Sequence, residues 1–308
     1  MKEWIVTAQE TGTRLDRWLT TKARVSRQQA KAWLDRGAVR VNGRRVVIAK
    51  WVVEPGARVR VEDVAPKGAA RDRRAGFERV DVLFEDRDLI AVAKPAGRLV
   101  LATEATTEST MVDVVRAYLR RKHPGSRGTY VRALHRLDRD TSGILLLAKS
   151  KVGEEVIQQF KRHSMRREYL AIVHGAVERD GGTIDLPLVK GDFGQGRKVV
   201  PAEATAAGAK GAITHFTVEE RYPQATLLRV RVETGRTHQV RVHLAAIGHP
   251  LLGDRRYGPP KDVVPTPRQT LHATFLGFHH PATSQKIELK LPPPADFHAV
   301  LDALRDLV

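Results

Sequence analysis

In TRLDRWLTTKA, Leu15, Trp18 and Leu19 recur at i, i+3 and i+4, which gathers them on one side of a short helix with Thr13 as its cap. VSRQQAKAWLDRG repeats the plan: Ser26 caps, Ala30, Trp33 and Leu34 face inward, and Gly37 stops the helix. AVRVNGRRV then alternates with period two about Asn42-Gly43, the strongest short hairpin signal. From about Val80 the pattern mixes strands and helices. VDVLFEDRDLIAVAKPAG predicts two strands around a charged turn, MVDVVRAYLRRK a helix, and GILLLAKS a strand buried on both faces. KVGEEVIQQFKRHSM predicts a helix and REYLAIVHGAV a strand. In TLLRVRVETG, Leu228, Val230 and Val232 point one way and Arg229 and Arg231 the other. THQVRVHLAAIG predicts a helix capped by Thr237, with Val240, Leu244 and Ile247 on its apolar face and Gly248 at its end. The strands lack the regular helix alternation of a doubly wound sheet, so the expected class is α+β.

A break lies in VAPKGAARDRRAGFER, residues 64–79, which is small, charged and poor in large apolar side chains, as linkers are. The expected organisation is a domain over 1–65, a linker over 66–79 and a larger domain over 80–308. Charge follows the same division. The 308 residues carry 53 Lys+Arg against 35 Asp+Glu, a net +18. Residues 1–80 hold 19 basic and 9 acidic side chains, so +10 of that excess sits in the first quarter. Such a balance favours polyanionic partners, nucleic acid foremost. Arg27, Lys31, Arg36, Arg44 and Arg45 would all face solvent. A solvated charged face is one reading of them; two short helices and a hairpin sharing one basic surface also suit a phosphate backbone.

The absence of cysteine excludes disulfides, thiolate metal sites and cysteine nucleophiles. No apolar run approaches the roughly 18 residues of a membrane helix. MKEWIVTAQETGTRLD has no signal-peptide core, so a cytoplasmic protein is expected.

The chemistry concentrates in HRLDRDTSG, His135 to Gly143. Its Asp138 and Asp140 could belong to an Asp-x-Asp-x-Thr phosphatase site of the haloacid-dehalogenase type. Thr141 falls one residue early for that pattern, the apolar strand follows rather than precedes the pair, and Arg139 between them would compete with a cation. Alternatively, one carboxylate attacks carbon, held ionised by neighbouring cations. Arg136 and Asp138 would emerge on one face of an extended segment, and Thr141-Ser142-Gly143 would turn it into the buried strand. On pattern alone, a surface ionic cluster fits as well.

Two resemblances bear on this. RLDRWL and SRQQAKAWLDRGAVRVNGRRV resemble the αL RNA-binding domain first known from ribosomal protein S-four, over about residues 12–62. This implies contact with structured RNA through the second helix and the following turn, with Arg14, Arg27, Lys31, Arg36 and Arg44 as RNA-binding residues. HRLDRDTSGILLLAK resembles the signature of RluA-type pseudouridine synthases. AVAKPAG, RREYLAIVHG, ETGRTHQVRVHLAAIGHPLLGDRRYG and RQTLHATFLGFHHP agree with that family's other blocks. This resemblance implies a mixed, largely antiparallel catalytic sheet and isomerisation of uridine in RNA, most readily large-subunit ribosomal RNA. Transfer RNA is the nearer rival and a catalytically idle RNA-binding factor the more distant one. By position it implies Asp138 as nucleophile, Tyr169 stacked beneath the uracil and Arg241 paired with Asp138. It implies Arg136 holding the RNA open and Thr141 and Arg236 among the substrate contacts, with Arg236 on phosphate. The isomerisation requires no metal or redox cofactor, and a monomer is expected. The sequence departs from the family at RLVLATEAT after AVAKPAG. The Gly/Ala-rich stretch at 191–212 is expected to be a flexible surface loop near the RNA. Asp140 is expected to brace the loop that presents Asp138, itself held between Arg136 and Arg241.

Overall fold

The computed structural model describes residues 2–35, 37–62, 79–102, 106, 108–124, 129–192, 197–203 and 205–307. The chain divides into two compact units, Met1–Arg73 and Arg74–Val308. The expected linker, Arg79 aside, lies outside the described residues.

In the first unit, β1 (Lys2–Ile5), α1 (Leu15–Ala23), α2 (Arg27–Asp35), β2 (Val39–Val41), β3 (Arg44–Arg45) and β4 (Arg58–Val61) follow in order. The strands pair in the order β1-β4-β2-β3. Leu15, Trp18, Leu19, Ala30 and Leu34 form one buried core with Val39 and Val59, as the periodicity implies. Asn42 and Gly43 both take positive φ, 49° and 78°, the backbone that a tight two-residue hairpin demands. Ser26 accepts from the Gln29 N–H, so it does cap α2. Thr13 does not cap α1. Arg14 holds the cap position, and the free N–H groups of Leu15 and Asp16 donate instead to the carbonyls of Trp51 and Ala49. A neighbouring chain segment thus replaces the local cap, which periodicity cannot reveal.

The second unit is built on a ten-stranded sheet among the described residues. Its strands are β5 (Val82–Glu85), β6 (Leu89–Lys94), β7 (Arg132–Ala133), β8 (Ser142–Ala148), β9 (Arg166–His174), β10 (Gly181–Asp185), β13 (Ile213–Tyr222), β14 (Ala225–Val232), β15 (Leu271–His279) and β16 (Lys286–Lys290). The main path runs β10-β13-β14-β9-β15-β8-β6-β5, with β16 on β15 and β7 on β8. Every pairing is antiparallel except β8 with β15, where His272 lies opposite Ser142 and Ala273 opposite Gly143. Helices α3 (Met111–Lys122), α4 (Val156–Lys161), α5 (Gln239–Ala246) and α6 (Ala295–Arg305) complete the unit. The fold is mixed α+β with a largely antiparallel sheet.

β8 is buried along its whole length. Leu145 and Leu147 pack with Met111 and Val115 of α3, while Ile144 and Leu146 pack on the other side with Phe278. Gly143 has φ +128°, and a Cβ there would stand 2.4 Å from the Ala273 carbonyl oxygen. Only glycine lets β8 run this close to β15.

Three expectations need correction. The helix predicted over 151–165 is a 3-10 turn, Gly153–Glu155, followed by the single short helix α4. Thr237 does not cap α5: His238 does, in the left-handed conformation, and Ile247 is 37% exposed at the helix end. The stretch at 191–212 is not a plain surface loop. Its described residues include most of a hairpin of β11 (Leu188–Asp192) and β12 (Arg197–Pro201), with Val199 and Ala212 buried against Val242 of α5. Two adjacent valines, Val199 and Val200, in a Gly/Ala-rich context made too short an apolar run to stand out.

Candidate active site

The loop before β8 and the turn before α5 meet over the sheet centre and enclose a cavity of about 700 Å³. Asp138, Tyr169, Arg241, Arg136, Thr141 and Arg236 all line it. They come from three distant parts of the sequence, and strand order explains the meeting. β9, carrying Tyr169, lies between β14 and β15. β15 flanks β8, whose preceding loop carries Asp138, and β14 leads into the turn before α5.

The Asp138 loop is anchored mostly through its backbone. Thr141 donates its N–H to the Asp138 carbonyl at 3.2 Å, and its buried hydroxyl accepts from Gln269 Nε2 at 2.7 Å. Lys94, 1% exposed, donates to the carbonyls of Pro95 at 2.7 Å and Arg139 at 2.8 Å. Burial pulls the Lys94 pKa down to about 7. Arg268 donates to the Asp140 carbonyl at 3.1 Å and to Ser142 Oγ at 3.2 Å, and pairs with Asp296 at 2.6 Å. Asp140 therefore serves the loop through its carbonyl; its carboxylate makes no ion pair among the described residues.

Arg241 Nη1 donates to Asp138 Oδ2 at 3.0 Å. The other edge of the same guanidinium is held bidentately by Asp254, Nε to Oδ2 at 2.7 Å and Nη2 to Oδ1 at 2.8 Å. The Asp254 side chain is fully buried and also accepts from the backbone N–H groups of Arg256 and Tyr257. Burial disfavours the Asp254 charge, yet these donors hold its carboxyl below the usual range. Burial likewise opposes the Arg241 charge, and the two aspartates more than offset it, so its pKa lies above the ordinary arginine value. The Tyr257 ring lies 5.1 Å from the guanidinium carbon. Arg241 thus reaches Asp138 as a fixed, preoriented donor rather than a swinging side chain.

Arg136 is exposed and makes no ion pair with Asp138, so the nucleophile candidate is not held between two arginines. The second group near it is His238, whose Nε2 stands 3.9 Å from Asp138 Oδ1 and whose Nδ1 shares a 2.9 Å hydrogen bond with the Tyr257 hydroxyl. Burial lowers the His238 pKa. Tyr169 is half-buried in the cavity wall, and burial raises its phenol pKa, so the hydroxyl keeps its proton near neutral pH. Arg236 is half-buried, and its Nε donates to the Gly211 carbonyl at 2.9 Å. Gln239 locks the turn: its Oε1 accepts from Thr234 Oγ1 and the Arg236 N–H, and its Nε2 donates to Ile213 and Thr214.

Asp254, His238, Tyr257, Lys94 and Arg268 were missed as site residues in the sequence. For Asp254 a signal existed: a buried arginine aimed at one carboxylate needs a second for its other edge, and GDRRYG lies close after it. Among the described residues, no three His, Asp or Glu side chains stand together as a metal site would require.

In the first unit, Arg27, Lys31 and Arg44 are exposed, whereas Arg14 is engaged by Asp16 at 2.8 and 3.1 Å. Arg36 lies outside the described residues.

Residues 88–246 match the family model described as RNA pseudouridylate synthase, and residues 13–59 match the S4 domain. The chain is 37% identical to the RNA pseudouridine synthase YlyB of Bacillus subtilis, across 95% of this chain and 94% of that protein. It is 33% identical to ribosomal large subunit pseudouridine synthase D of Haemophilus ducreyi, across 91% and 87% respectively. Among solved structures, human RNA pseudouridylate synthase domain containing 1 superposes with a TM-score of 0.57 at 25% identity, covering 74% of this chain and 95% of its own. With a carboxylate–arginine–carboxylate relay in the pocket and these matches over most of its length, the chain belongs to the RNA pseudouridine synthases, isomerases that act on RNA, and carries an N-terminal RNA-binding S4 domain.

Proposed function

We propose that this protein converts specific uridines of large-subunit ribosomal RNA to pseudouridine, with the Asp138 carboxylate as nucleophile. The observation that carries the reading is the Asp138–Arg241–Asp254 relay facing a nucleotide-sized cavity. The ribosomal substrate is favoured by the name of the Haemophilus relative and by the net charge of +18.

A uridine within folded RNA must leave its stack to reach this cavity. Exposed Arg136, unpaired among the described residues and close to Asp138 in sequence, suits holding the vacated position open. Tyr169 offers a ring for the uracil to lie on and a phenol that retains its proton. The bond from C1′ to N1 then breaks, the base turns, and C1′ joins C5. N1 ends with a proton and C5 has lost its own, so the reaction is an isomerisation with no atom gained. Asp138 serves it by adding to C6, by attacking C1′ or by assisting a glycal route. Each requires a carboxylate free on the cavity side and held from behind, as Arg241 holds it. Thr141 acts as a positioning residue for the loop, and Arg236 as a phosphate contact. The first unit presents Arg27, Lys31 and Arg44 to structured RNA, with Arg36 assigned there by resemblance alone; Arg14, occupied by Asp16, contributes least. The protein acts as a monomer in the cytoplasm.

Asp138→Ala should abolish pseudouridine formation in ribosomal RNA from cells lacking the protein while RNA binding persists. Retained turnover would sink the nucleophile assignment, and modification confined to transfer RNA would replace the substrate.

A further inference from the structure

Arg167 is 8% exposed and lines the cavity two residues before Tyr169, on the same face of β9. Its Nη2 donates to the Glu233 carbonyl at 2.6 Å, its guanidinium lies over the Phe160 ring at 5.5 Å, and its Nε has no hydrogen-bond partner. No carboxylate among the described residues pairs with it: Asp138 is turned to Arg241, and Glu233 to His215 at 2.8 Å. Burial accordingly pushes its pKa below the ordinary arginine value. A buried cation without a counter-ion carries an uncompensated desolvation cost, which its hydrogen bonds to the turn do not require. A neutral side chain could donate to the same Glu233 carbonyl.

Directly above this cation lies the turn before α5. A Cβ on Gly235 would come within 2.9 Å of Arg167 Nη1, so the glycine leaves room beside the guanidinium. The backbone N–H groups of Gly235, Thr237 and His238 donate to no described residue, and Thr237 is exposed. They lead into the N-terminus of α5, where an anion is favoured. Arg236 joins from the same turn.

We propose that Arg167, Arg236 and the turn over residues 235–238 form a subsite for a backbone phosphate of the flipped nucleotide, with Arg167 as its buried counter-charge. Arg167 would fix the strand so that the ribose stays put while the base turns, a role that matters because the detached uracil must meet the same C1′ again. The inference rests on the reading of the cavity as the uridine site.

The test compares uridine 3′,5′-bisphosphate with uridine by calorimetric titration on the full-length protein. The bisphosphate should bind more tightly, and Arg167→Met should cut that preference, measured as the ratio of the two affinities, about tenfold to a hundredfold. Arg167→Lys should recover part of it. Gly235→Ala, which places a methyl against Nη1 without removing charge, should reduce the preference too and decides the matter if Arg167→Met does not fold. An unchanged preference in a folded Arg167→Met or in Gly235→Ala overturns the subsite. Because binding is read without turnover, an intact subsite with no pseudouridine formed would point instead to failure of the catalytic assignment.

Discussion

Asp254 is buried behind Arg241 and makes no contact of its own with Asp138, yet replacing it should disable the site. In Asp254→Asn the shape is kept and the charge lost. The amide presents one oxygen to a guanidinium that held two at 2.7 and 2.8 Å, and its NH2 opposes the other N–H. Removing one partner of a buried ion pair costs about 3–5 kcal/mol. For a unit of this size that corresponds to a fall in melting temperature of about 6–20 °C, at about 2–4 °C per kcal/mol. Arg241 is then free to move toward Asp138, its remaining carboxylate at 3.0 Å, and a nucleophile displaced by about 1 Å loses about a hundredfold in turnover. Differential scanning calorimetry and single-turnover pseudouridine formation read the two effects separately. The double variant Arg241→Met/Asp254→Leu distinguishes them further: with only the partly exposed Asp138 left unpaired and no fully buried charge stranded, it should regain most of the melting temperature and none of the activity. An Asp254→Asn protein that melts within about 2 °C of the parent and turns over normally would refute the relay.

Asp140→Asn should keep most activity, because Arg268 grips the carbonyl and not the carboxylate; a loss equal to that of Asp138→Ala would show the second aspartate to be chemical. The Lys94 pKa of about 7 against an ordinary 10.5 has a signed consequence. Between these values the unfolded chain binds the proton and the folded one does not, so stability from this group rises with pH across that window. Relative to Lys94→Met, the parent should therefore gain melting temperature from pH 7 to pH 9.5, and a flat difference would contradict the burial argument. Deleting residues 1–75 should weaken RNA binding and flatten its dependence on salt, since the exposed cations Arg27, Lys31 and Arg44 leave with that unit; an unchanged slope on filter binding would make the unit a bystander.

Local spacing alone determined the two N-terminal helices, the Asn42-Gly43 hairpin, the doubly buried β8 and the alternation of β14. These depend on side-chain periods of 3.6 and 2 and on the glycine-like backbone of a tight turn, all readable within a dozen residues. The motif resemblance supplied Asp138, Tyr169 and Arg241, but their order along the chain carries no distance. Only the strand order β14-β9-β15-β8 brings them to one cavity. Tertiary structure also decided which partner each charge has. Arg136 stands next to Asp138 in sequence and does not pair with it, while Arg241 lies 103 residues away and does. A cap taken over by a neighbouring carbonyl, a carboxylate hidden behind Arg241 and a buried arginine without a counter-ion are likewise consequences of packing. Pairing depends on where side chains point and how deeply they are buried, and those are settled only when distant segments share one core.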